Sequence, residues 1–210
     1  MSIPMIRIAG LLAAALLTSC ASLTGKSDPF AIYSPRLSAA PSTAGAPVAW
    51  QLAIDTPLTS SALDSNRIVV MPSPGVLQIY PAARWRDPAP QLLRGLVVEG
   101  FERSGRILGV GAATAGLHAD IGLSIDLRAF QAEIDTGGAR AVVRFQASLL
   151  DFATNRVFAT RSFEASAPAA SSDVAGLFPA FEAALDQVVP HLVDWTLAEG
   201  EKRRPPAAGP

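Results

Sequence analysis

The chain has 210 residues, of which 50% are hydrophobic and 17% are charged, and its formal net charge at pH 7 is −1. This length and composition suit one domain with a substantial core, and the balanced charge without a basic run argues against nucleic acid as a partner. Cys20 is the only cysteine, which excludes an intramolecular disulfide.

The first residues have the pattern of an export signal. Arg7 supplies a positive flank, and the apolar stretch at 8–17 is too short to cross a bilayer. It ends in Leu17-Thr18-Ser19-Cys20, which resembles the lipobox of bacterial lipoproteins, where the thiol of the cysteine is acylated and the cysteine becomes the new N-terminus. The alternative is an ordinary signal peptide that contains a cysteine by chance. We predict a lipoprotein signal peptide at 1–19 and lipidation at Cys20.

A lipid anchor would confine the domain to a membrane surface without a spanning helix, because two or more acyl chains hold a protein stably in a bilayer. The residue after the cysteine is Ala21 and not the aspartate that usually retains lipoproteins at the inner membrane. By resemblance to sorted lipoproteins, this implies the periplasmic face of the outer membrane.

Residues 20–47 are rich in small and polar residues and in proline, so this segment is predicted to be a lipidated N-terminus followed by a flexible tether. The apolar run at 30–33 interrupts it and is short enough to dock as an edge strand. The folded domain is predicted to occupy 48–198, and a disordered tail 199–210.

Alternating apolar residues predict about seven strands within the domain. They lie at 48–55, 67–71, 76–80, 106–110, 120–129, 141–150 and 157–165. The last three are expected to form an antiparallel meander with one solvated face. Phe130 breaks the alternation, which predicts a bulge or a change of face there.

Two amphipathic helices complete the predicted domain. Asp87 is a candidate N-cap with Pro88 at the first helical position, and Gly105 is a candidate C-cap. A long C-terminal helix is predicted to begin after the capping residues at 171–173. The fold class is therefore α+β, in two layers: a largely antiparallel sheet of about seven strands with two helices packed on one face.

Candidate catalytic residues are few. Gly109-Val110-Gly111 is not followed by a helix, so we reject a nucleotide-binding loop. His118 with Asp120 is the best enzyme candidate, but a solvated pair on a strand is the favoured interpretation. His191 and Asp194 are one helical turn apart and suggest an ordinary surface contact. We predict no catalytic residue, no metal site and no cofactor.

The segment Arg84-Trp85-Arg86 has the residue types that dominate protein interfaces. We therefore hypothesise that Arg84, Trp85 and Arg86 contact a protein partner. The alternative is that Trp85 packs beneath the first helix as part of the core.

The order of several short motifs resembles the ABC-type transport auxiliary lipoprotein family, the PqiC-like lipoproteins. The resemblance extends from residue 30 to residue 196. It rests on Arg67-Ile68-Val69-Val70, on Tyr80…Arg84-Trp85…Asp87-Pro88, on Leu123-x-Ile125-x-Leu127-x-x-Phe130, on Ala147-x-Leu149-x-Asp151, on Val157-x-Ala159-Thr160-Arg161-x-Phe163 and on Trp195.

The resemblance implies a non-catalytic subunit of a lipid transport system. Its partners would be a membrane permease, an ATPase and a periplasmic mammalian-cell-entry (MCE) domain protein, and ATP would be consumed by the partner chain. A homo-oligomer is left open. Two alternatives remain at this stage: a different outer-membrane assembly or envelope-binding lipoprotein with a similar small domain, and a periplasmic hydrolase.

Overall fold

A computed structural model describes residues 30–39, 41–113 and 118–203. Cys20 and the signal peptide lie outside the described residues. The predicted α+β class and the packing of both helices on one face are confirmed, but the described residues form nine strands, two more than predicted. The strands are β1 Ala31–Tyr33, β2 Leu52–Ile54, β3 Leu58–Thr59, β4 Arg67–Ser73, β5 Val76–Trp85, β6 Val110–Ala112, β7 Ile121–Asp135, β8 Gly138–Asp151 and β9 Arg156–Pro168. The additional strands are β1 and β3.

Strand β7 is a central strand of the sheet and pairs with other strands along both of its edges. One of its edges pairs antiparallel with β8, which in turn pairs antiparallel with β9. Its other edge is divided among β2, β3 and β4, all of which run parallel to it. A bulge interrupts the β7–β8 register between Leu127 and Ala129, two positions before the residue at which the sequence pattern predicted it.

The first helix, α1, spans Ala89–Ser104. Its predicted N-cap is wrong: Pro88 occupies the cap position, no side chain of the described residues caps the helix, and the Asp87 carboxylate instead accepts a 2.8 Å hydrogen bond from Arg86 Nε. The missing cap is tolerated because Pro90 lies in the first turn and has no N–H group to satisfy. The predicted C-cap is confirmed, since Gly105 adopts φ 64°.

The second helix, α2, spans Val174–Arg203 and runs through both Pro179 and Pro190. Asp173 caps it by accepting a 2.8 Å hydrogen bond from the Gly176 N–H. The helix continues into the segment predicted as a tail, because Arg203 Nε donates a 2.8 Å hydrogen bond to the buried Asp151 carboxylate. Residues 204–210 lie outside the described residues. Neither described helix combines the length and apolarity that a bilayer crossing needs.

Part of the predicted tether is packed against α2. The backbone N–H of Arg36 donates to Glu182, and those of Ser38 and Ala39 donate to Asp186. The side chain of Leu37 is buried. Composition predicted flexibility here because the segment is poor in apolar residues, but carboxylates on the neighbouring helix satisfy its backbone donors instead.

Candidate functional site: the hairpin surface

An irregular pairing between β4 and β5 decides which side chains this hairpin exposes. Arg67 pairs with Arg84 and Val69 pairs with Ile79. The step between the paired residues is therefore two residues long in β4 but five residues long in β5, so β5 has three extra residues. The extra residues form a bulge that contains Pro81, which has no N–H group for the ladder. Ala82 within the bulge adopts φ 55°. An odd number of extra residues places Ile79 and Arg84 on the same face of the sheet.

The same bulge turns Trp85 towards the helices. Its indole is 1% exposed and makes edge contacts with Phe130 of β7 and Phe181 of α2, at centroid distances of 5.5 and 5.0 Å. Trp85 is therefore part of the core, as the alternative interpretation of this segment predicted. Because its side chain is buried, Trp85 cannot contact a protein partner. The partner hypothesis for this segment is therefore limited to Arg84 and Arg86, both of which are exposed.

Tyr80 connects the bulge to the segment just before α2 through a hydrogen bond. Its hydroxyl donates a 2.6 Å hydrogen bond to the carbonyl oxygen of Ser172. Burial and the nearby Asp173 carboxylate both raise the pKa of Tyr80 above its ordinary value of 10.0. The hydroxyl therefore stays protonated and able to donate at any physiological pH.

Apolar side chains are exposed on the face of the hairpin that points away from the helices. Ile32 is 64% exposed, Ile79 47% and Leu77 46%, and Phe30 is 45% exposed at the chain's entry into β1. These residues, with Arg67 and Arg84, are called the hairpin surface below. The sequence analysis missed it because residues 76–80 were interpreted as an ordinary core strand.

Two adjoining grooves shape this surface. One, of about 460 Å³, runs between β5 and the loop at 60–66. The other, of about 300 Å³, lies beside the bulge and is bounded by Phe30 and Arg84. Arg67 and Ile79 line both grooves, so the two form one continuous depression.

The charged groups of the hairpin surface are cations. The Arg84 guanidinium lies 4.5 Å from the ring centroid of Phe30, within the range of a cation–π contact. Among the described residues, no carboxylate pairs with Arg67 or Arg84, whereas Arg86 is paired with Asp87. The surface therefore combines exposed apolar area with two arginines whose charge no described carboxylate neutralises.

The histidines are not brought together with a catalytic set among the described residues. His118 is exposed in the coil before β7, and the Asp120 carboxylate accepts a 3.0 Å hydrogen bond from the Gln51 N–H. His191 is exposed on α2, where the neighbouring Asp194 pairs with Arg106 at 3.9 Å. Within the described ranges, no group of three or more His, Cys, Asp or Glu residues is arranged to hold a metal ion.

Comparison with known proteins assigns the domain. A solved structure of XCC0632 from Xanthomonas campestris, of family DUF330, superposes with a TM-score of 0.77 at 38% identity, covering 82% of this chain and 98% of that one. A second solved structure, of an uncharacterized protein, shares the fold at 16% identity, with a TM-score of 0.62 and coverage of 80% and 99%.

An uncharacterized protein of Bradyrhizobium diazoefficiens, bll6063, is 29% identical over 150 residues. That match covers 70% of this chain but spans only 39% of the relative's length. The model of the ABC-type transport auxiliary lipoprotein component family matches residues 33–193, which is nearly all of the folded domain. The chain belongs to the ABC-type transport auxiliary lipoprotein component family.

Proposed function

We propose that this chain is the lipid-anchored, non-catalytic subunit of an ABC-type transport system that moves lipids between the inner and outer membranes through an MCE-domain partner. The subunit sits on the periplasmic face of the outer membrane, held by acyl chains on Cys20. The permease and the ATPase of the system are separate chains, and the ATPase consumes the ATP.

The observation that carries the proposal is the family match over residues 33–193. The sequence before this region supports the anchor, because the sole cysteine stands at the one position of the lipobox that needs a thiol. Ala21 supports the outer-membrane destination. A role without chemistry of its own agrees with the exposed positions of His118 and His191.

A subunit without chemistry acts through contacts, and tethering raises its effective concentration near its partners. Arg84 and Arg86 remain the proposed contact with the MCE-domain protein or with a neighbouring copy. Arg84 lies near the end of β5 and Arg86 directly follows the strand, before the start of α1, and both side chains are exposed. Trp85 supports this segment from the core side and takes no part in the contact.

The proposal is tested by purifying the affinity-tagged chain from membranes and identifying the proteins that accompany it. We expect a permease, an ATPase and an MCE-domain protein in the wild-type eluate. We expect a Cys20→Ser chain to be folded, to leave the membrane fraction and to fail to complement an envelope-permeability defect. A wild-type eluate that contains a different envelope assembly would overturn the lipid-transport assignment while leaving the anchor intact.

The non-catalytic assignment has a separate test. His118→Ala and His191→Ala are expected to complement the envelope-permeability defect as well as the wild type does. Loss of complementation by either variant, with an unchanged melting temperature, would contradict a subunit without chemistry.

A further inference from the structure

The hairpin surface gathers four of the large apolar side chains that the described exterior exposes; others, at Leu58, Leu108, Phe152 and Val157, lie outside it. On the solvated face of the meander, exposed positions such as Ser124, Asp126 and Ser162 are polar. On the hairpin surface, four large apolar side chains lie between a third and two thirds exposed beside two arginines that have no carboxylate partner among the described residues. Asp64 is the carboxylate in the adjoining loop, and it lines neither groove.

The chain itself places this surface close to the predicted anchor. Phe30 is the first described residue and belongs to the hairpin surface, and it follows Cys20 by ten positions. Ten residues reach at most about 33 Å when fully extended and about 18 Å on average as a flexible coil. Acyl chains on Cys20 would therefore hold Phe30 within this distance of the bilayer.

We infer that the hairpin surface docks onto the phospholipid surface in which Cys20 is anchored. Phe30, Ile32, Leu77 and Ile79 enter the boundary between headgroups and acyl chains. Arg67 meets the phosphate groups of the lipids, while Arg84 is left to the protein contact proposed above. The inference rests on the anchor of the proposed function and adds an orientation: only the hairpin end of the sheet face opposite the helices is turned to the membrane.

Two observations favour a lipid surface over a protein as the occupant. Arg67 and Arg84 form no ion pair with a carboxylate within the described structure. The charge of Arg67 is therefore available to a membrane surface, which presents many lipid phosphate groups. The apolar residues lie where the lipidated segment joins the domain, so docking requires no ordering of additional chain. Contact with the bilayer would also shield apolar area that is otherwise left in water.

The test uses the full chain, processed in its host, purified from membranes and reconstituted into phosphatidylglycerol-containing vesicles. A Leu77→Cys variant carries an environment-sensitive fluorophore on the hairpin surface, and a Ser162→Cys variant carries it on the solvated face of β9 as the matched control. Labelling stoichiometry reports the anchor independently, because an acylated Cys20 cannot take the label.

We expect one fluorophore per variant chain and none on the wild type. In vesicles of brominated lipid, emission from position 77 should fall about twofold, since bromine quenches only at contact with the acyl region, and emission from position 162 should not change. Adding Arg67→Glu to the Leu77→Cys chain should reduce the quenching. Replacing phosphatidylglycerol by a zwitterionic lipid, or raising the salt concentration, should do the same.

The failures can be told apart. A wild-type chain that takes the label would show that Cys20 is a free thiol, and would overturn the anchor together with the docking built on it. A singly labelled chain whose position 77 is unquenched would overturn the docking alone. Emission from position 77 that is shielded from water but insensitive to brominated lipid would assign the surface to a second copy or to residues 21–29, and would equally overturn the inference.

Discussion

Gly100 of α1 faces Val189 of α2 so closely that a Cβ at position 100 would lie 2.7 Å from Val189 Cγ1. Both residues are buried, and Val189 is fully enclosed. Because a β-branched side chain in a helix has essentially one rotamer, Val189 cannot turn aside. The two helices pack together on the sheet only because position 100 lacks a side chain.

Gly100→Ala is therefore expected to lower the free energy of unfolding by about 1–2 kcal/mol. Overpacking costs about 1–3 kcal/mol, and the better helix propensity of alanine returns up to about 1 kcal/mol. Gly95→Ala on the same helix is the matched control, because a Cβ there meets no atom of the described residues within 4 Å. It should raise the free energy of unfolding by about 0.5–1 kcal/mol. Urea unfolding of both variants measures the difference, and equal effects would contradict the close contact.

Trp85→Ala should lower the free energy of unfolding by about 3–5 kcal/mol, because it leaves a cavity between Phe130 and Phe181. Trp85→Phe should cost much less, since it retains an aromatic ring and removes a buried indole N–H that has no hydrogen-bond partner among the described residues. Chemical denaturation and near-ultraviolet circular dichroism check both. A Trp85→Ala chain as stable as the wild type would contradict the core position of the indole.

Asp151 links the β8–β9 turn to the end of α2, and its ionisation makes this link dependent on pH. Burial raises the pKa of Asp151, but hydrogen bonds from the Thr154 N–H, the Arg203 side chain and the Ala153 N–H outweigh burial and hold the pKa below its ordinary value of 3.8. A lowered folded-state pKa contributes stability that is complete above about pH 4 and is lost as the pH falls through the folded value.

Asp151→Asn should therefore be less stable than the wild type at pH 7, and the difference should shrink as the pH falls below about 4. Asp126→Asn is the matched control, because its ion pair with Arg128 is about half exposed on both sides and should matter little. Thermal unfolding across this pH range makes the comparison. A stability difference for Asp151→Asn that does not vary with pH would contradict the role of the charge.

Periodic patterns in the sequence were sufficient for the regular parts of this fold. The three strands of the meander alternate cleanly, and the stripe of α2 identifies the helix despite its two prolines, because each element buries one face. The docking of β1 is not encoded in its own three residues: it depends on β5 being available as a partner. Composition likewise does not show that Glu182 and Asp186 receive the backbone donors of residues 36–39.

The candidate site was predicted only in part, and the bulge in β5 is the physical reason. Position parity along an unbroken strand would place Trp85 on the same face as Ile79 and would place Arg84 on the opposite face. The bulge reverses this relation. Apart from Pro81, no local sequence pattern predicts the bulge. Sequence reasoning therefore identified the arginines as surface groups but left the place of Trp85 open, and it missed the apolar face beside them.

The final prediction separates the proposed protein contact from the proposed lipid contact. Arg84→Glu combined with Arg86→Glu reverses charge at the end of β5 and should weaken co-purification with the transport partners at least tenfold, the scale of one or two lost charge contacts. The melting temperature should change little, because both side chains are exposed.

Arg67→Glu is the matched control, because it also reverses the charge of an exposed cation but lies in the groove that is proposed to face the lipid. It should leave co-purification unchanged in detergent, where no bilayer is present. Full recovery of the partners by a stably folded double variant would move the protein contact away from Arg84 and Arg86. Equal losses from Arg67→Glu would mean that the hairpin surface and the end of β5 form one protein interface.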